Sequence, residues 1–123
     1  MNVIPAIDLK GGRCVRLLKG DFGAVTEYDA APTSLAERYL SLGAHWIHCV
    51  DLECARSGTA GNLDSITSMA CRTAGRLLVG GGVREAGDLA RLLDSGACRV
   101  VAGSTAIEQP AVMTRWLEEH GTE

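Results

Sequence analysis

The chain has 123 residues and a formal charge of −3, with 46% hydrophobic and 22% charged residues, a composition that fits one folded globular domain over residues 1–123 and excludes a disordered chain. Its Lys and Arg residues form no cluster, which argues against nucleic acid or an anionic membrane as partner, and no uncharged apolar run approaches the roughly 20 residues that span a bilayer. The amino terminus has no basic region followed by an apolar stretch, so a cytoplasmic protein with a small-molecule partner is expected.

Four short β-rich runs stand out in chain order: Val3 to Asp8, Trp46 to Leu52, Arg76 to Val79 and Arg99 to Ala102. Each is nearly all apolar rather than alternating, the pattern of parallel strands covered on both faces. A long segment from Leu9 to about Thr33 follows the first run and predicts a lid or binding loop, since most strand-to-helix connections take roughly 2–6 residues. Ser34-Leu35-Ala36-Glu37 has the form of a capping box, and Gly43 is a stop after Leu42. Asn62 is placed to cap a second helix through Ile66 and Met69 that Gly75 ends; Asp88 to Leu93 predicts a third, and Gln109-Pro110 opens a fourth. The order β-α-β-α-β-α-β-α requires right-handed crossovers with the helices on one side of a parallel sheet.

Glycine is the unusual ingredient, at fifteen residues, and much of it falls just after strand ends. Gly11-Gly12, Gly58 and Gly61, Gly80-Gly81-Gly82 and Gly103 lie on the face where parallel α/β folds put their sites. Gly80-Gly81-Gly82-Val83-Arg84 and Gly103-Ser104-Thr105 are adjacent turns if the third and fourth strands are neighbours. Glycine lets backbone N–H groups approach an anion, so these turns with Arg84 and the Ser104 hydroxyl form a candidate phosphate cradle; tight turns also need glycine for steric reasons alone. Asp8 ends the first strand on the same face and is either a general base or a turn-stabilising aspartate. Asp51 holds the matching place on the second strand, where hydrogen bonding to the following turn is the stronger reading. His48 reads as a core histidine, His45 and His120 as surface residues, and Arg16 as an anion clamp or a solvated loop side chain. Five cysteines with no C-x-x-C pair and no His at zinc spacing read as reduced core residues, with no metal implied.

Ile4-Pro5-Ala6-Ile7-Asp8-Leu9-Lys10-Gly11-Gly12-Arg13-Cys14-Val15-Arg16-Leu17 and Gly20-Asp21-Phe22 closely resemble the opening of the ribotide isomerases of histidine biosynthesis, the phosphoribosylformimino-aminoimidazole-carboxamide ribotide isomerase family. Gly43-Ala44, Ile47-His48-Cys49-Val50-Asp51-Leu52, Ala55, Asn62, Val79-Gly80-Gly81-Gly82-Val83-Arg84 and Val100-Val101-Ala102-Gly103-Ser104 follow in family order. The sister cyclase typically has Cys-Leu-Asp where this chain has Ala-Ile-Asp.

The resemblance implies an eight-stranded (βα)8 barrel, for which roughly 250 residues is typical, so this chain corresponds to a (βα)4 half of a TIM barrel ending at His120-Gly121-Thr122-Glu123. It implies an Amadori rearrangement of a bis-phosphorylated ribotide, aminoaldose to aminoketose, without metal or organic cofactor. In the family an aspartate at the end of strand one is the base, and Asp8 matches it; a second aspartate on strand five is the acid and has no counterpart here. Gly81, Gly82, Arg84, Gly103 and Ser104 match a phosphate site, and Arg16, His48 and Asp51 match substrate-facing positions. A half-barrel exposes two strand edges, which predicts a homodimer or a complementary half-barrel as partner. The alternatives are a non-catalytic phosphosugar-binding half-barrel, a truncated copy, or the related phosphoribosylanthranilate isomerase reaction.

Overall fold

In the computed structural model, which describes residues 1–59 and 61–121, the four apolar runs become neighbouring parallel strands. They are β1 (Ala6–Lys10), β4 (Ile47–Asp51), β5 (Leu77–Gly80) and β6 (Arg99–Val101), paired in that order with Ala6 beside His48, Ile47 beside Leu77 and Leu78 beside Arg99. Thr122 and Glu123, where the half-barrel was expected to end, lie outside the described residues.

The segment expected as a lid loop is instead a hairpin. β2 (Arg13–Leu18) pairs antiparallel with β1 through Asp8–Val15 and Lys10–Arg13, and β3 (Asp21–Glu27) pairs antiparallel with β2, giving a six-stranded sheet in the order β3-β2-β1-β4-β5-β6. Both turns are two residues long with positive φ throughout: Gly11 at +59° and Gly12 at +73°, Lys19 at +52° and Gly20 at +75°. That is the conformation whose twist matches a two-residue hairpin. The hairpin covers the outer edge of β1 from Asp8 onwards and leaves Ala6 and Ile7 open, so β1 is a shorter free edge than the four-strand reading implied.

The helices start where local chemistry is strongest. α1 (Pro32–Ser41) begins at Pro32, whose fixed φ suits the first helical position, so Ser34 and Glu37 fall inside the helix and form no capping box. α3 (Leu63–Arg72) follows Asn62, but the Asn62 side chain does not cap it. In α4 (Ala86–Asp94) the Asp88 carboxylate accepts from the N–H groups of Arg84 and Glu85, at 3.0 and 3.1 Å. α6 (Pro110–His120) opens on proline as expected, whereas the short α2 (Leu52–Ser57) and α5 (Ser104–Glu108) were not anticipated.

All helices that enter the core pack on one face of the sheet. Ile7, Leu9, Ile47, Cys49, Leu77 and Val79 point into it and meet Ala36, Ile66, Met69, Leu89, Leu92 and Trp116. Each fully buried large aliphatic side chain contributes roughly 1.5–3 kcal/mol. The opposite face, carrying Ala6, Asp8, His48, Val50, Leu78, Gly80, Arg99 and Val101, is the more open one; burial along β4 alternates, contrary to the two-face cover expected from the apolar pattern. Of the five cysteines, Cys14, Cys49 and Cys54 are buried as expected, and burial pushes their thiols up; Cys71 and Cys98 are exposed.

Candidate active site

The open face collects the chemistry. Because side chains alternate along a strand, the Ala6–His48 and Asp8–Val50 pairings put Asp8 and His48 on one face of adjacent strands, offset by two residues. Burial raises the Asp8 carboxyl above the ordinary carboxylate value, and the His48 imidazole pulls it partly back. The His48 backbone N–H donates to Pro5 O at 2.9 Å, while its Nε2 is buried and finds no hydrogen-bond partner among the described residues. Gly80 packs against that nitrogen: a Cβ there would come within 3.3 Å of His48 Nε2 and of Val101 Cβ.

Asp8 and Arg16 line one cavity of about 410 Å³ between β1, β2 and α1, together with Tyr28 and Tyr39. The two tyrosines were not singled out in the sequence; in a chain with so few aromatics, the placement of Tyr28 just before the first helix and of Tyr39 within it is the signal that marks them. Arg16 sits on β2, opposite Thr26, and is exposed.

A second cavity, of about 330 Å³, lies at the carboxyl ends of β5 and β6 and is lined by His48, Gly81, Gly82, Arg84, Gly103 and Ser104, among others. The two glycine turns are neighbours, because β5 and β6 pair directly. The buried Thr105 hydroxyl, overlooked in the sequence, joins them by donating to Val83 O at 2.6 Å. Gly81 and Gly82 have φ of +110° and +69°, and a Cβ at Gly82 would stand 2.5 Å from the Cys54 carbonyl carbon. Their small size is therefore required by the close approach of α2. Gly103 differs, with φ of −93° and open space around it. Arg84 is exposed, and its Nη2 donates to Ala55 O at 3.2 Å, which anchors it beside the cavity mouth.

Asp51 projects to the helix face, 3% exposed, where it caps α2 by accepting from Cys54 N–H at 3.1 Å and accepts from Asn62 Nδ2 at 2.8 Å. The geometry gives Asp51 the turn-stabilising job and sets it apart from the open face. Glu53 and Asn62, which the site reading did not include, complete this network: Gly11 N–H donates to Glu53 Oε1 and Gly12 N–H to Asn62 Oδ1, both at 2.7 Å. His45 and His120 are exposed, and among the described residues no group of three His, Cys, Asp or Glu side chains gathers to hold a metal ion.

The family profile described as histidine biosynthesis protein matches residues 2–123. The chain belongs to this family. Curated relatives named 1-(5-phosphoribosyl)-5-((5-phosphoribosylamino)methylideneamino) imidazole-4-carboxamide isomerase include those of Photobacterium profundum and Aliivibrio fischeri. The first is 45% identical over 121 residues, covering 98% of this chain and 50% of that protein. The second is 46% identical over 121 residues, covering 98% of this chain and 49% of that protein. The chain thus spans about half the length of the curated relatives it matches, in keeping with half of a TIM barrel. Among the described residues, no helix is long and apolar enough to cross a membrane.

Proposed function

We propose that this chain carries half of a ribotide isomerase site: the base and one phosphate cradle of an Amadori rearrangement, working once a second half-barrel covers its open face. The observation that carries this reading is the placement of Asp8 and His48 on one sheet face of adjacent strands, with His48 lining a cavity shared with the two glycine turns at the carboxyl ends of β5 and β6. In the proposed reaction the ribose ring opens when an acid protonates its ring oxygen. Asp8 then removes the C2 proton of the open-chain iminium; that electron pair forms the C1–C2 double bond as the C1–nitrogen π pair returns to nitrogen. The enolamine becomes the aminoketose when C1 takes the proton back from Asp8 and the C2 hydroxyl gives its proton to the conjugate base of the acid. Gly81, Gly82, Gly103 and Ser104 hold one phosphate through backbone N–H groups and the Ser104 hydroxyl, while Arg16 and Arg84 supply positive charge at the two cavity mouths.

A second copy of the chain is the partner this reading favours. With β6 of one copy against β1 of the other, a twofold assembly brings a second Asp8 opposite the first and a second cradle for the second phosphate. The raised Asp8 carboxyl suits the acid role in one copy, and ionisation after docking suits the base role in the other. A complementary half-barrel would serve the same purpose.

Two substitutions test the reading against simple phosphosugar binding. Asp8→Asn is expected to lower kcat by about 10²–10⁴, the usual contribution of a general base, while ribotide affinity in a titration stays near that of the unmodified chain. Ser104→Asp, which places a carboxylate in the cradle, is expected to weaken ribotide affinity and turnover together. Ribotide binding that depends on Ser104 with no turnover by the assembled protein would identify a binding module instead.

A further inference from the structure

The network around Asn62 does more than cap a turn. Asn62 is 1% exposed and sits at the amino end of α3, yet its side chain makes no bond to that helix. Its Oδ1 accepts from Gly12 N–H, and its Nδ2 is shared between Asp51 Oδ1 and Glu53 Oε2. The other Glu53 oxygen accepts from Gly11 N–H, so both amides of the two-residue hairpin turn end on one clamp. Gly61 makes room for it, since a Cβ there would press to 3.0 Å from Glu53 Oε2. One helical turn further along α2, the Arg56 guanidinium lies over the Phe22 ring of β3 at 4.8 Å, a second hold on the same hairpin.

We propose that Glu53 and Asn62 are positioning residues that fix the β1–β2 hairpin against α2, which keeps Arg16 on β2 and Asp8 on β1 lining one cavity at the edge of the sheet. The proposal rests on the functional reading above, in which those two residues meet the ribotide. Beyond the β1–β2 ladder, Cys14 in the core and the Arg56–Phe22 contact, the turn itself has little to hold it: both glycines have left-handed φ and little side-chain packing around them among the described residues. The charge pattern explains the choice of groups. A carboxylate is the strongest acceptor for a backbone N–H, and the Asn62 amide between Asp51 and Glu53 lets two acids stand close together without facing each other unshielded. Asp51 is shared with the cap of α2, so the clamp is continuous with the end of β4, the strand that carries His48.

The test uses Glu53→Ala, at a half-buried position, and Gly61→Ala, which displaces the Glu53 carboxylate while leaving every clamp residue in place. Glu53→Gln is the conservative partner; it keeps an acceptor for Gly11 and loses the one for Asn62. Hydrogen exchange of the Gly11 and Gly12 amides is read by NMR against His48 and Cys49 of β4, together with ribotide affinity and kcat of the assembled protein. The expectation is about tenfold or faster exchange at the two glycines in both alanine variants with β4 unchanged, weaker ribotide binding, about tenfold lower kcat, and an intermediate result for Glu53→Gln. Unchanged glycine exchange, or faster exchange with affinity and kcat both unchanged, overturns the proposal. If the unmodified assembly binds the ribotide without turnover, the functional reading falls by itself; the clamp then stands on weaker binding by the alanine variants and is overturned by equal binding. A chain that neither binds nor converts the ribotide overturns both.

Discussion

Replacing Gly82 by alanine separates what the glycine turn does for packing from what it does for a ligand. The residue has φ of +69°, and its Cβ would stand 2.5 Å from the carbonyl carbon and 2.7 Å from Sγ of Cys54. Left-handed backbone costs a non-glycine residue roughly 1–2 kcal/mol, and overpacking against backbone that cannot swing away typically costs about 1–3 kcal/mol more. The sum, about 2–5 kcal/mol, is a large part of the roughly 5–15 kcal/mol that holds a domain together. With a urea dependence of about 2 kcal/mol per molar, the midpoint followed by circular dichroism is expected to fall by about 1–2.5 M. Gly103→Ala is the matched control at the other side of the same cavity; with φ of −93° and nothing within 4 Å, it is expected to stay within about 0.5 kcal/mol of the parent. A Gly82→Ala chain that unfolds at the parental midpoint, or a Gly103→Ala chain that falls as far, would refute the steric reasoning.

Asp51→Ala removes the cap of α2 and one acceptor of the buried Asn62 amide, for an expected loss of about 2–4 kcal/mol in the same denaturation assay. Asp8→Asn is expected to raise the thermal midpoint at pH 7 and leave it unchanged near pH 3. The folded chain holds the Asp8 proton to higher pH than the unfolded chain does, so the stability of the protonated form is fully present below the ordinary carboxylate range and is lost as pH rises through the raised value. An Asn variant less stable than the parent at pH 7 would contradict that account. Gly80→Ala crowds His48 Nε2 and Val101 from 3.3 Å, and about a tenfold loss of kcat/KM by the assembled protein at little-changed stability is expected. Loss of stability without a change in kcat/KM would place the effect in packing alone.

Much of the fold was legible because it rests on local and repetitive signals. The four apolar runs are strands within a few residues of their expected ends, and Gly43 and Gly75 end helices in positive-φ conformations as their positions suggested. The hairpin was missed because Leu9 to about Thr33 was read as one long loop; Gly11-Gly12 and Lys19-Gly20 each stand as two residues between β-rich segments, which is a turn signal in its own right. Asn62 looked like a helix cap because cap propensity depends only on neighbours in sequence, whereas its partners, Gly12 and Asp51, come from other elements. The same limit applies to Asp51. Its echo of Asp8 at a strand end hides an opposite facing, which burial of the alternate residues on β4 determines and composition does not. Asp8 and the two glycine turns were assigned to the carboxyl-end side of the sheet from their positions after apolar runs, whereas His48 was read as a core histidine and joined them only through the family resemblance.

The central claim is that a complete site forms only when a second half-barrel covers the open face, and the concentration dependence of ribotide turnover by the purified chain, with its mass in solution recorded on the same samples, tests this most directly. Turnover that rises as the square of chain concentration below the assembly midpoint, accompanies a doubled mass, and is abolished by Asp8→Asn with that mass unchanged is the expected result. Turnover strictly proportional to concentration from a monomer, or a doubled mass that stays active with Asn at position 8, would contradict it.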